Sequence, residues 1–368
     1  MQYQFEFLEL EQLGQLQRIL YDFFGENYYG AHVDYFNWQY RDSLFSESVA
    51  GANRYTVFVA REDDRILALD AFLPWKTYIR KEPIQTMWDI EWINTSDIKG
   101  IGRKLVAELR SHFEMYCGYG LNAHSTTAYG KLGFRINDSI ERMVAILDAE
   151  RCIEEFGVIN DAEKVSFYKD NQAQYAQSSW DILTSVAEIS EAYWEDALSN
   201  FCCISYKGPR YLDWRYLRHP FLKYHLISLD SRGKSGIAAV RLEQIRGRNA
   251  IVLRILDFLP CSGKEKELAV AVCAFGRKHR AILADFFCAS SRYAQQLLTV
   301  PFLPLSFHSL YEVPMLFQPL EVRKRKSINM VWDFQKHFGE LGFDDFYATK
   351  ADGDQDVFIN PEYSTVSF

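Results

Sequence analysis

A chain of 368 residues exceeds one ordinary core and points to two domains. Its formal charge of −8 is the wrong sign for broad nucleic-acid binding, which needs a dense cationic face. No stretch approaches the ~18 uncharged apolar residues of a membrane span, and MQYQFEFLELEQ at the start has no basic flank leading into an apolar run. The seven cysteines show neither CxxC pairs nor His/Cys metal spacing, so no metal is expected, and Cys202 and Cys203 read as small core residues of a reducing compartment. The resulting expectation is a soluble cytoplasmic protein. The sequence leaves its oligomeric state open.

In chain order, LEQLGQLQRILYDFF and VDYFNWQYRDSL read as helices. YTVFVARED and RILALDAFLPWKTYIRK read as strands joined by a turn at Asp63 and Asp64, and TMWDIEWINT is the next strand. A glycine-bearing turn leads to the helix GRKLVAELRSHFEMY. Then come the strand YGLNAHS, the short helix TTAYGKLGF and the closing strand SIERMVAILDA.

Beyond a polar segment from Glu154 to Gln177 the order repeats. WDILTSVAEI is a strand; SEAYWEDALSNF and GPRYLDWRYLRHP are helices; YHLISLD, SGIAAVRLEQI and NAIVLRILDFLP are strands. The helix KEKELAVAVCAFGRKH, the strand AILADFFCA and the helix SRYAQQLLTV follow, and EVRKRKS near Lys324 is a solvated turn. YFNWQYRDSL at residues 35–44 is echoed by YLDWRYLRHP at 211–220, with Trp38 and Trp214 close to half a chain length apart. The shared order and the shared aromatic motif indicate a duplicated α/β (α+β) domain, one copy over residues 1–165 and one over 166–368.

Chemistry concentrates in INTSDIKGIGRKLVAELR, residues 93–110. Gly100 and Gly102 open a helix whose N–H groups and dipole favour phosphate, and Arg103 and Lys104 add positive charge. With period two, Asp89 and Glu91 share one face of their strand, while Trp88, Ile90 and Trp92 share the other. Crowded, half-buried carboxylates are suited to work as a base. His124, placed on the following strand, is a rival base, and water is another. Tyr211, Arg215, Arg218 and His219 fall on one helical stripe that suits a diphosphate and a stacked base, or equally a solvated face.

Asp97-Ile98-Lys99-Gly100-Ile101-Gly102 followed by Tyr129 to Phe134 in AYGKLGF resembles the GNAT superfamily of acyl-CoA-dependent N-acyltransferases. There the pyrophosphate turn reads Arg/Gln-x-x-Gly-x-Gly/Ala and the later helix carries Tyr-x-x-x-Gly-Phe. Asp97 stands where the family has Arg or Gln, so it is expected to point away or cap the helix. The resemblance implies two GNAT-like domains, each a mixed twisted sheet flanked by helices, with acetyl-CoA as donor. The pantetheine arm would lie where one strand splays from its neighbour. Ile93, Ile98, Lys99, Gly100, Ile101, Gly102, Arg103 and Lys104 would line the donor site, and Tyr129 would be the acid for the leaving thiolate.

The second copy reads LPCSGKEKELAVAV at the corresponding turn, with one glycine, Gly263, and with Glu265 and Glu267 where phosphate would sit. It is expected to be degenerate. A tandem arrangement with a YLDWRYxxHP helix is similar to bacterial N-acyltransferases that modify nucleotide-linked amino sugars for O-antigen and other surface polysaccharides. This similarity implies a UDP- or dTDP-linked amino sugar as acceptor, for which the stripe of Tyr211, Arg215, Arg218 and His219 is the candidate site. Two further readings stay open: a peptide or protein amine as acceptor, and a non-catalytic module that senses acyl-CoA.

Overall fold

The computed structural model describes residues 3–25, 28–140, 142–156, 175, 178–245, 247–290, 302–304, 316–317, 320–321, 328–336, 338–353 and 356. The chain divides into two compact units that are not contiguous blocks. The first takes Met1–Ser139, Ile328–Leu341 and Asp352–Asn360; the second takes Ile140–Ser327, Gly342–Ala351 and Pro361–Phe368.

In the first unit β1 (Gln4–Glu9) leads to the helices α1 (Leu13–Phe24), α2 (Val33–Tyr40) and α3 (Ser46–Ala50). The strands β2 (Arg54–Glu62), β3 (Arg65–Ile79) and β4 (Glu82–Asn94) then form an antiparallel meander. After α4 (Ile101–Arg110), β5 (Met115–Tyr119) joins β4 in parallel, and α5 (Ala123–Lys131) and β6 (Arg135–Ile140) follow. The sheet is completed by β17 (Ile328–Phe334), which lies between β5 and β6 and is antiparallel to β5. Leu105, Val106 and Leu109 of α4 pack on one face of the sheet with Phe58, Phe72 and Met87. Leu16, Leu20, Phe36 and Tyr40 of α1 and α2 pack on the other with Val57, Leu69 and Ile93.

The second unit begins with β7 (Arg142–Ile146) and α6 (Ala149–Phe156), then β8 (Asp181–Leu183), α7 (Ala192–Asn200), β9 (Cys203–Ser205) and α8 (Pro209–Leu212). Next come β10 (His225–Ser228), β11 (Gly236–Gln244), β12 (Ile251–Pro260), α9 (Glu265–Lys278) and β13 (Ala281–Phe287). The remaining short strands are β14 (Leu303–Pro304), β15 (Leu316–Phe317), β16 (Leu320–Glu321) and β18 (Phe346–Tyr347). Strand order across the main sheet is β14-β7-β13-β12-β11-β10-β8, with only β12 and β13 parallel. Each unit thus holds a mixed sheet flanked by helices, and β10 to β13 repeat the plan of β2 to β5.

Three local departures from the sequence reading have clear causes. The helix at 101 stops at Arg110, because Met115–Tyr119, buried throughout, is claimed as a strand between β4 and β17. YGLNAHS is therefore a loop and helix start, with Asn122 capping α5 by accepting from the Ser125 N–H. SIERMVAILDA is split between the two sheets, as the ends of β6 and β7. The expected helix at 291–300 and the basic run EVRKRKS fall outside the described residues, apart from Glu321.

The β3–β4 hairpin turns through Arg80 and Lys81, both at positive φ (50° and 75°). Two-residue turns with both central residues left-handed favour Asn-Gly, and ordinary side chains are strained there. Arg80→Asn with Lys81→Gly is expected to stabilise the protein by about 1 kcal/mol, measured as a rise in the urea unfolding midpoint.

Candidate functional site

The parallel pairing of β4 with β5 runs from Thr86↔Met115 to Asp89↔Gly118 and stops. Strand β4 continues to Asn94, still paired with β3 on its other side. Its last stretch, Ile90 to Asn94, therefore parts from β5 and leaves a wedge with one backbone edge outside the β4–β5 ladder.

At the mouth of this wedge β4 carries a bulge. Phe72 of β3 faces Asp89 and Ala71 faces Glu91, so Ile90 has no counterpart on β3. The extra residue inverts the alternation beyond it. Asp89 meets Tyr129 on the α4 face, where Trp92 also packs. Glu91 instead accepts a hydrogen bond from the Tyr28 hydroxyl, and Tyr28 packs with Ile90 and Ile93 on the α1 face. Period-two reasoning put Asp89 and Glu91 on one face, and the bulge puts them on opposite faces of the sheet.

Below the wedge lies a buried cluster of two carboxyls and two phenols. The Tyr129 hydroxyl donates to Asp89 Oδ2 at 2.5 Å, the Tyr116 hydroxyl donates to Asp70 Oδ2 at 2.7 Å, and the two hydroxyls lie 3.0 Å apart. Asp70, Tyr116 and Tyr129 are each 0% exposed. Burial first, and then the nearby Asp89, push the Asp70 carboxyl well above the usual carboxylate range. Burial followed by the two aspartates likewise drives both phenols up. The shift at Asp70 favours its protonated form, while Asp89 accepts from Tyr129.

The sequence offers Tyr129 and Asp89 as candidates but not Asp70 and Tyr116, which the fold places beside them. Tyr116 had been absorbed into an overlong helix. Asp70 had a signal: it is the one acid inside the apolar run of RILALDAFLPW. His124 lies exposed in the first turn of α5, on a helix rather than the expected strand.

The turn at the end of the wedge suits phosphate. Gly100 sits in left-handed backbone (φ 83°) as the N-cap of α4 and contributes no capping side chain. The exposed Lys99, Arg103 and Lys104 surround this helix start, and Asp97 is exposed as well. Gly102 is also an internal requirement, since a Cβ there would come within 2.3 Å of Asn94 Oδ1 and 2.8 Å of Trp92 Nε1. Ile98 and Ile101 pack against the α4-side core and Ile93 against the other, so their side chains serve packing.

The second unit repeats the wedge and closes it. Pairing of β12 with β13 ends at Ile255↔Phe286, β12 runs on to Pro260, and a bulge leaves Leu256 without a counterpart on β11. Here the Tyr347 hydroxyl accepts from the Phe258 N–H at 2.7 Å and lies 3.1 Å from the Phe258 carbonyl, to which it donates. Past β13, Thr349 bridges to Cys288 and the Ala289 N–H donates to the Ala348 carbonyl. The tail at 346–349 thus spans the opening between the two strands. At the following turn the Asp196 carboxylate accepts from the Ser262 N–H at 2.9 Å, and α9 starts with Glu265 and Glu267. Protein carboxylates stand where phosphate would.

YLDWRYLRHP does not present the expected stripe. After α8 the backbone widens into a π-turn over Asp213–Leu217, which breaks the 3.6-residue spacing. Tyr211 is fully buried and donates to Asp257 Oδ2 at 2.7 Å, alongside Tyr216 at 2.5 Å, with Lys207 at 3.4 Å from the same carboxylate. Arg215 is buried against Tyr216 and Tyr224. Arg218 is exposed and paired with Asp213 at 2.7 Å, and the half-buried His219 accepts from the Leu222 N–H through Nδ1.

No protein-family model matches the chain, and no curated protein matches its sequence. Solved structures do. A GCN5-related N-acetyltransferase from Kribbella flavida superposes with a TM-score of 0.54 at 12% identity, over 90% of this chain and 71% of that one. Saccharomyces cerevisiae N-myristoyltransferase, solved with bound myristoyl-CoA and inhibitors, gives 0.51 at 9% identity, over 94% and 84%. The fold is GNAT-like. At such identities the likeness concerns the fold alone.

A carboxyl whose native pKa is raised holds its proton in the fold after the unfolded chain has released it. Its contribution is complete below about pH 4 and fades as pH rises towards the native value. Asp70→Asn mimics the protonated carboxyl. It is expected to flatten the decline in stability from pH 4 to pH 8 and to raise stability at the upper end, read from urea unfolding at several pH values. A wild-type slope retained in the variant would contradict a protonated Asp70.

Proposed function

We propose that the first unit is an N-acyltransferase site that moves an acyl group, acetyl in the first instance, from coenzyme A to an amine. The observation that carries this reading is the wedge between β4 and β5, with Tyr129 below it and the Gly100 turn at its end. An extended pantetheine arm would pair with the parted edge of β4 as a strand would. The helix start with Lys99, Arg103 and Lys104 would take the pyrophosphate. Backbone N–H groups of that edge would polarise the thioester carbonyl.

The bulge supports a division of labour. Tyr129 on one face would protonate the leaving thiolate, and Glu91 on the other would take the proton of the attacking amine, which is the role proposed for it over His124 and Asp89. Direct attack through a tetrahedral intermediate requires no covalent acyl-enzyme. For the acceptor we propose a nucleotide-linked amino sugar, UDP- or dTDP-linked, of surface-polysaccharide synthesis. Support for this is the sequence resemblance carried by YLDWRYLRHP; with Tyr211 and Arg215 buried, Arg218 and His219 are the residues of that motif left to reach it. The likeness to an N-myristoyltransferase favours a second reading, with a longer acyl chain and a peptide amine.

Two experiments test this. Charge reversal at Lys99, Arg103 and Lys104 together should weaken coenzyme A binding by at least about 10-fold in calorimetry, while the fold, in which all three are exposed, persists. Unchanged affinity would refute the phosphate placement. Product mass spectrometry with acetyl-CoA and longer acyl-CoAs against UDP- and dTDP-amino sugars and peptides should show acylation of one amino sugar, inhibited by the matching free nucleotide. Acylation of peptides alone would move the acceptor to the second reading. Coenzyme A binding without any transfer would leave a sensing module.

A further inference from the structure

Tyr129 cannot balance the proton by itself. If it alone protonated the thiolate, a phenolate would remain in a site with no solvent exposure, 2.5 Å from the Asp89 carboxylate. Burial and both aspartates disfavour that anion. A thiol, at about 8.5, is ordinarily the stronger acid of the two by more than a unit. The cluster holds a better donor. Asp70 meets Tyr116 at 2.7 Å, and Tyr116 meets Tyr129 at 3.0 Å.

On the acyl-transfer reading of this site, we propose that Asp70 stores the proton that ends on the leaving thiolate, delivered through Tyr116 and Tyr129. As the carbon–sulfur bond breaks, its electron pair stays on sulfur, which takes the Tyr129 hydroxyl proton. The Tyr116 hydroxyl, which points to Asp70 at rest, turns to Tyr129 and gives it its proton, and the Asp70 carboxyl gives its own to the Tyr116 oxygen. Both phenols end neutral, and the negative charge rests on Asp70. The amine proton leaves through Glu91 to water, and Asp70 regains one proton from water as products depart, so the cycle closes.

The groups facing Asp70 are Tyr116 from β5, Asp89 from β4 and Tyr129 from α5. Two carboxylates side by side would repel, which gives Asp70 its drive to be reprotonated and resets the store after each turnover. Asp70 acts through Tyr129 and does not itself reach the substrate.

Two measurements on the full chain decide this. Infrared spectroscopy at pH 7 should show the carbonyl stretch of a neutral carboxyl, shifted in D2O and missing from Asp70→Asn. In kinetics, Asp70→Asn and Tyr116→Phe should lower kcat with acyl-CoA by about 10²-fold. With an aryl thioester of the same acyl group, whose thiol departs unprotonated, both variants should return to within a few-fold of wild type. A merely structural role would lower both thioesters alike, and that result would overturn the relay. Normal wild-type transfer without the neutral-carboxyl band would overturn the relay alone. A wild type that binds coenzyme A yet acylates no amine would sink the acyl-transfer reading and the relay with it.

Discussion

The parting of β4 from β5 just beyond Asp89 is the constraint on which the rest of the site depends. A strand that leaves its neighbour exposes a row of backbone donors and acceptors, and such a row must be matched by something. The bulge at Ile90 belongs to the same event, since it turns β4 and distributes its acids. Asp89 goes to a dry cluster with Tyr129, and Glu91 to the face with Tyr28. One inserted residue therefore separates two carboxylates that would otherwise crowd each other, and leaves them in different chemical environments.

The duplicated chain answers the same constraint in two ways. In the second unit Tyr347 satisfies the Phe258 backbone, and the chain at 346–349 fills the opening. Asp196 binds the turn that in the first unit is bare glycine among lysine and arginine. The echoing aromatic helices have diverged accordingly. Trp38 and Trp214 are both core residues, but Tyr211 and Tyr216 are tied to a buried Asp257, two residues past the last β12–β13 pair, as Glu91 is past the last β4–β5 pair. Lys207 lies 3.4 Å from that carboxylate, whereas burial and the neighbouring Asp89 push the Asp70 carboxyl towards its neutral form.

Much of this architecture was legible in the residues. Alternating apolar runs marked β2 to β4 and β10 to β12, and the glycine turn marked the start of α4, because local pattern and tertiary structure agree there. The failures share one cause, which is that long-range pairing outranked local pattern. Ser111 to Tyr116 continues a helical periodicity, yet Met115 is paired with Phe334, far along the chain. The bulge at Ile90 depends on β3, and period two cannot reveal it. The π-turn at 213–217 is likewise invisible to a stripe drawn at 3.6 residues per turn. Tyr129 stands out as a candidate because its motif is local. Its partners Asp70 and Tyr116 do not, because only the folded sheet brings them together.

Membership of the two sheets also bears on how the chain matures. The first sheet needs Ile328–Phe334, and β6 lies against that strand. The second sheet takes Arg142–Ile146 from the stretch that follows β6 directly. During synthesis the ribosome must therefore pass residue 334 before the amino-terminal sheet can close. Until then β5 exposes a buried-type edge, Met115–Tyr119, for the time it takes to make some two hundred residues. A nascent chain of this design spends most of its birth unfinished, and it becomes vulnerable to aggregation before its first sheet is complete.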